Sequence, residues 1–208
     1  MEKKIAQAIS ILFHPLWMPF YMSLMLFFIN KNSIAITPIT VGGISVWAYV
    51  GVIIFVNTLL LPVLLILMMK HLKIIQSLSL ERKEERIYPF FITSVFYVTT
   101  WYIFDSIRVF PFLSLIFVIA ISLAIVAAVI SFFWKISIHA MSMGAVTAAV
   151  LYFTAWHYIL IPWPAYGVVF LSGLVAFSRL KLQAHSSSQV YAGFLLGVLL
   201  VGFVLYQI

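Results

Sequence analysis

Cysteine is absent from this chain of 208 residues, which removes disulfides, thiolate nucleophiles and cysteine-based metal sites at once. Carboxylates are scarce too. Glu2, Glu81, Glu84, Glu85 and Asp105 are the whole acidic complement, too few and too scattered for a two-metal carboxylate centre. Charged residues of both signs make up 8% of the chain, against roughly a quarter in soluble domains. No internal repeat, low-complexity tract or linker divides it. What is present is apolar: 65% of residues are hydrophobic and the mean hydropathy is +1.18. A soluble fold of this size cannot hide so much apolar surface, so the bilayer is the expected solvent and partner.

Twelve Lys and Arg against five acids give a net charge of +7. In a soluble protein that balance would point to nucleic acid. Here the cations are spread over short loops, as insertion orientation demands, and nucleic acid is not an expected partner. Lys3 and Lys4 precede an apolar stretch that resembles a signal peptide, but Pro15 and Pro19 interrupt it and no small-residue cleavage site follows. A retained first helix is expected.

Apolar runs at about 9–30, 41–69, 88–104, 111–133, 138–158, 161–178 and 189–208 are long enough for membrane helices, with the short third run leaving six spans as the alternative to seven. The expectation is an all-α polytopic transmembrane bundle forming a single domain over 1–208. In this topology Lys3, Lys4, Lys70, Lys73, Arg82, Lys83, Arg86, Lys135, Arg179 and Lys181 share one side, and only Lys31 and Arg108 lie on the other. That asymmetry assigns the N-terminus and the polar motif face to the cytoplasm. With no periplasmic domain and no cysteine, a bacterial cytoplasmic membrane is expected. Between Lys70 and Arg86, Ile74, Ile75, Leu78 and Leu80 alternate with polar residues, a pattern that predicts an interfacial helix.

Three polar clusters fall on the same predicted face: Arg82-Lys83-Glu84-Glu85-Arg86-Ile87-Tyr88-Pro89, then Lys135-Ile136-Ser137-Ile138-His139, then Ser178-Arg179 followed by His185 and Gln189. Forked guanidiniums match phosphate oxygens two at a time. Histidine attacks or protonates near neutral pH. Cations, hydroxyls and two histidines at neighbouring helix ends therefore suit a phosphate ester.

The third cluster resembles the third signature of the PAP2 (type 2 phosphatidic acid phosphatase) superfamily. It has Ser178-Arg179, five residues, His185, three residues and then the polar Gln189. The second is similar to that family's Pro-Ser-Gly-His motif, and the first to its Lys-to-Arg-Pro motif, with Arg86 as the arginine. The resemblance covers about residues 80–208 and implies a PAP2-like core.

It also implies a chemistry. His185 would attack phosphorus and become a phosphohistidine, and His139 would protonate the leaving alkoxide. Arg86, Arg179 and Ser137 would hold the phosphoryl oxygens with a backbone N–H near Ile138, and neither metal nor other cofactor is required. The family's motif-one lysine position holds Ser79, so Arg82 or Lys83 would reach the phosphate from another turn. Ile138 stands at the motif-two glycine, where Lys135 would restore a positive charge. Gln189 replaces the aspartate that orients the nucleophile. An amide oxygen can fix the imidazole tautomer but cannot neutralise an imidazolium.

The function expected is thus a metal-independent lipid phosphatase. Its substrate would be a phosphate monoester or diphosphate of the phosphatidate, phosphatidylglycerol phosphate or polyprenyl diphosphate type. A non-enzymatic lipid-phosphate binder or transporter is the alternative, and a structural subunit the third reading.

His14, in His14-Pro15, is expected to pack or to lie at the interface, and nothing is assigned to His71 or His157. Gly193 and Gly197, with Ala140, Gly144 and Ala148, form small faces for close helix packing within the bundle, with homodimerisation the alternative. Trp17, Trp101, Trp134, Trp156 and Trp163 cluster near span ends, as an aromatic belt does.

Overall fold

The computed structural model describes residues 2–30, 40–41, 43–78, 83–107, 111–155 and 163–207. The described chain is helical apart from one short ladder. In order it runs α1 (Glu2–Leu12), a 3₁₀ turn (Pro15–Trp17), α2 (Met18–Asn30), β1 (Thr40–Val41) and β2 (Ile44–Ser45), then α3 (Val46–Phe55), a π-helical turn (Val56–Leu60) and α4 (Leu61–His71). It continues with α5 (Lys83–Ile107), α6 (Pro111–Phe133), α7 (Ile138–Ala155), α8 (Trp163–Lys181) and α9 (Ser187–Tyr206). The two strands pair antiparallel, Thr40 with Ser45 and Val41 with Ile44, around Gly43 at φ +80°.

Seven helical stretches are long and apolar enough to cross a membrane: Glu2–Phe27, Val46–His71, Glu85–Ile107, Pro111–Phe133, Ile138–Ala155, Trp163–Lys181 and Ser187–Tyr206. This is the architecture of an integral membrane protein. The third run looked short because Glu84, Glu85 and Arg86 mask its start. The helix there has 25 residues, enough for a full span.

Two sequence expectations change. The first apolar segment is divided, because Pro15 opens a 3₁₀ turn and ends α1 three residues earlier. The interfacial helix predicted between Lys70 and Arg86 is not formed over 72–78, where the chain makes turns and bends. Lys73 takes a left-handed φ of 60° and the Ile74 N–H closes back on the Met69 carbonyl, so α4 ends there. Ile75 is then buried and the Gln76 N–H donates to Glu85 Oε2 at 3.1 Å, which ties the segment to the start of α5. Residues 79–82 lie outside the described ones.

The chain forms two compact units, one of residues 1–18 with 133–208 and one of 19–132. In the second, Phe27 and Trp47 meet edge to face with centroids 5.0 Å apart, and α2 and α3 line an apolar cavity of about 280 Å³. Phe104 and Phe117 are buried against each other between α5 and α6. The π turn precedes Pro62, which has no N–H to return to the Thr58 carbonyl.

The first unit is built on the pairing of α7 with α9. Gly144, Gly193 and Gly197 let the two backbones touch. A β-carbon at Gly193 would stand 2.6 Å from the Ser137 carbonyl oxygen, and one at Gly197 would lie on that of Met141. In hydrocarbon, where water provides no drive to bring helices together, such close approach is a main source of association. The small faces read from the sequence are thus used inside the chain. Helix α8 packs on α7 through a buried hydroxyl pair, Thr147 Oγ1 to Ser172 Oγ at 2.9 Å. Helix α1 lies against the end of α8, where Lys181 pairs with Glu2 and the Ser10 and Ser178 hydroxyls bond at 2.9 Å.

Candidate functional site

At the end of the first unit where α7 and α9 begin and α8 stops, the polar residues of the second and third sequence clusters meet. Each is placed by a helix terminus. Ser137 is the cap of α7: its Oγ accepts from the Ala140 N–H at 3.4 Å, and its own N–H donates to the Gln189 carbonyl at 3.2 Å. Ser186 and Gln189 form a reciprocal capping box at the start of α9. Gln183, at φ 54°, turns the chain out of α8 toward that box.

His185 is held by this arrangement. Its Nδ1 lies 3.2 Å from Gln189 Oε1 and 3.3 Å from the Lys135 carbonyl. The amide is oriented independently, because Oε1 also accepts the Ser186 N–H at 3.2 Å. Both neighbours of Nδ1 are therefore acceptors, so Nδ1 carries the proton and Nε2 the lone pair. That is the tautomer a nucleophilic imidazole needs.

Burial, and after it the charge of Arg179, holds the His185 imidazole at a pKa of about 4, below its ordinary 6.5. Its hydrogen bonds to Gln189 and the Lys135 carbonyl act the other way, and the Lys135 charge adds to the lowering. The folded protein thus favours neutral His185. Its contribution to stability is complete above pH 6.5, declines below that value and is gone once pH passes 4. We expect the His185 ring resonance in a ¹³C-histidine NMR titration to move with a midpoint near 4, and Arg179→Gln to raise that midpoint. A wild-type midpoint at 6.5 would contradict the placement of the ring.

Arg179 lies in the last turn of α8, inside the cluster. Its Nη1 donates to Ser10 Oγ at 3.2 Å, while its Nε is buried and has no partner among the described residues. No carboxylate among them pairs with this guanidinium. His139, in the first turn of α7, donates from Nε2 to the Ser10 carbonyl at 3.1 Å. Its ring meets His14 edge to face, centroids 5.0 Å apart at 87°. No three His, Cys, Asp or Glu side chains among the described residues converge as metal ligands.

Of the residues singled out in the sequence, Lys135, Ser137, His139, Arg179, His185 and Gln189 come together in this unit. Arg86 is half-buried on the first turns of α5 and belongs to the other unit, as does Lys83, which opens that helix. Arg82 lies outside the described residues.

Sequence reading missed Ser10 and gave His14 only a packing or interfacial role. Ser10 looks like an ordinary helix residue until α1 is placed on α8 and its hydroxyl meets that of Ser178. His14-Pro15 carried a signal, since a residue before proline is held extended and so stands ready to cap the turn that the proline opens. His14 does so: its Nδ1 accepts the Leu16 N–H at 3.3 Å.

No family model matches the chain, and neither a curated protein nor a solved structure matches it.

Proposed function

We propose that this is a metal-independent phosphatase of membrane lipids, acting on a phosphate monoester or diphosphate carried by an acyl or prenyl chain. The PAP2-like motifs are what first point to it. The observation that carries the reading is Arg179: a guanidinium whose buried Nε has no partner, and which has no carboxylate partner, among the described residues, near a histidine whose Nε2 lone pair is available. Such a guanidinium awaits an anion with several acceptor oxygens.

In this mechanism Arg179 and the Lys135 ammonium hold the phosphoryl oxygens, with the N-terminus of α7 adding its free backbone N–H groups. His185 Nε2 attacks phosphorus as the bond to the leaving oxygen breaks. His139, in its protonated form, gives that oxygen a proton and the alcohol departs. Water then attacks the phosphohistidine, returning a proton to His139 and releasing phosphate. Gln189 keeps Nδ1–H oriented throughout.

One observation favours the alternative, a lipid-phosphate binder without turnover. Gln189 offers no negative charge to balance the imidazolium formed when His185 is phosphorylated. Detergent-purified protein with lipid mono- and diphosphates in EDTA separates the two. Wild type should release phosphate, and Arg179→Gln should cut kcat/KM by about 10²–10³. Binding of the same lipids with no release would establish the alternative. Neither binding nor release would dispose of both.

A further inference from the structure

The end of α1 brings two oxygens of one residue, Ser10, into the site, and the motifs do not contain that residue. Pro15 has no N–H for the Ile11 carbonyl, so that carbonyl takes the His14 N–H at 3.3 Å. The Ser10 carbonyl is thereby left without a donor in its own helix. His139 Nε2 donates to it at 3.1 Å, which fastens the end of α1 to the start of α7 through backbone. The Ser10 side chain is left for another task.

That side chain is buried, and its Oγ stands between two groups of α8. It bonds to the Ser178 hydroxyl at 2.9 Å and accepts from Arg179 Nη1 at 3.2 Å. Ser178 is fully buried, so the hydroxyl pair is held away from competing water. Nη1 is the guanidinium nitrogen remote from Nε–H. Engaging it leaves the edge formed by Nε and Nη2, a fork that matches two oxygens of one anion. Nε on that edge is buried without a partner among the described residues. An arginine stem has several rotatable bonds, and ordering it only when an anion arrives costs affinity.

We propose that Ser10 is the positioning residue of the phosphate site: its hydroxyl fixes the Arg179 guanidinium with the Nε–Nη2 edge presented to a phosphoryl group. Ser10 acts through Arg179 rather than by touching substrate. The role rests on the reading of Arg179 as the holder of phosphoryl oxygens, and not on the covalent step.

The test uses the full-length protein in detergent and Ser10→Ala, which keeps the carbonyl that His139 bonds and removes only the hydroxyl. Ser10→Cys, close in size and a weak acceptor, replaces it should that variant not fold. Titration calorimetry with inorganic phosphate reads affinity, and turnover of a short-chain lipid phosphate reads kcat and KM. We expect phosphate to bind about tenfold more weakly and KM to rise by a similar factor. The value of kcat should stay within about threefold, because the arginine holds ground state and transition state alike. Ser10→Thr, which keeps the hydroxyl, should return affinity to within about threefold of wild type. In an Arg179→Gln background Ser10→Ala should lower kcat/KM by less than about twofold, since the group it positions is gone. Should the threonine methyl not be accommodated, that cycle decides.

Unchanged phosphate affinity in Ser10→Ala overturns the proposal. So does an equal loss with and without the Arg179 guanidinium, which would mark the hydroxyl as structural. If wild type binds phosphate but hydrolyses no ester, the phosphatase reading falls, and weaker phosphate binding in Ser10→Ala that Ser10→Thr restores sustains the positioning role. If wild type binds no phosphate, both fall.

Discussion

His185→Ala should reduce phosphate release by about 10⁴-fold or more, while binding of the lipid phosphate changes little. The asymmetry follows from the division of labour at the cluster. Arg179 and Lys135 supply the charge that holds an oxyanion, whereas His185 is neutral and contributes mainly the Nε2 lone pair. Removing a nucleophile takes away the covalent route, and a factor of 10⁴ corresponds to roughly 5.5 kcal/mol of barrier. A quench in alkaline detergent during turnover of phosphorus-labelled substrate should trap label on wild type that survives base and is lost on later exposure to acid, as in N-phosphoimidazole. The alanine variant should carry none. Label on Ser137, or turnover surviving in the variant, would remove His185 from the mechanism.

Gly197→Leu should be the most disruptive single change in the first unit. The atoms a side chain would meet belong to the Met141 carbonyl and the Ala145 nitrogen, backbone that cannot rotate aside. Helices α7 and α9 must separate, and the hydroxyl, amide and imidazole at their N-termini lose their register. Overpacking of this kind costs about 3–5 kcal/mol, or roughly 10 °C or more in thermal midpoint for a chain of this size. Gly51→Ala in α3 is the control, since a β-carbon there meets nothing within 4 Å. Thermal unfolding in detergent compares the two. Equal midpoints would mean that the backbones of α7 and α9 do not touch.

Hydropathy made most of this architecture legible before any coordinates, because a membrane helix is specified by composition over some twenty residues and little else. The same averaging hides what depends on single residues. It merged α1 with α2 across Pro15, and it read Ile74, Ile75 and Leu78 as an amphipathic face when Lys73 had already turned the chain. The site divides along the same line. Ser178-Arg179, His185 and Gln189 are close in sequence, and a Ser three residues before a Gln announces a capping box, so the third cluster could be read directly. Ser10 is 168 residues from Ser178, and no local pattern marks that contact. Nor did the sequence distinguish the hydroxyl of Ser137 as a helix cap from the phosphate ligand it resembled.

The wide turn at Val56–Leu60 has a consequence for helical phase. Val50, Ile54, Thr58 and Pro62 are all buried, a line with a period of four residues. A regular α-helix would carry such a line around its axis by about 40° at every step, some 120° over three steps, and bring one end out of the interior. The one residue added by the π turn takes back about 100° of that rotation. A single helix thereby keeps one stripe aligned across its length, and removing any one residue from that turn would swing everything beyond it onto a different face.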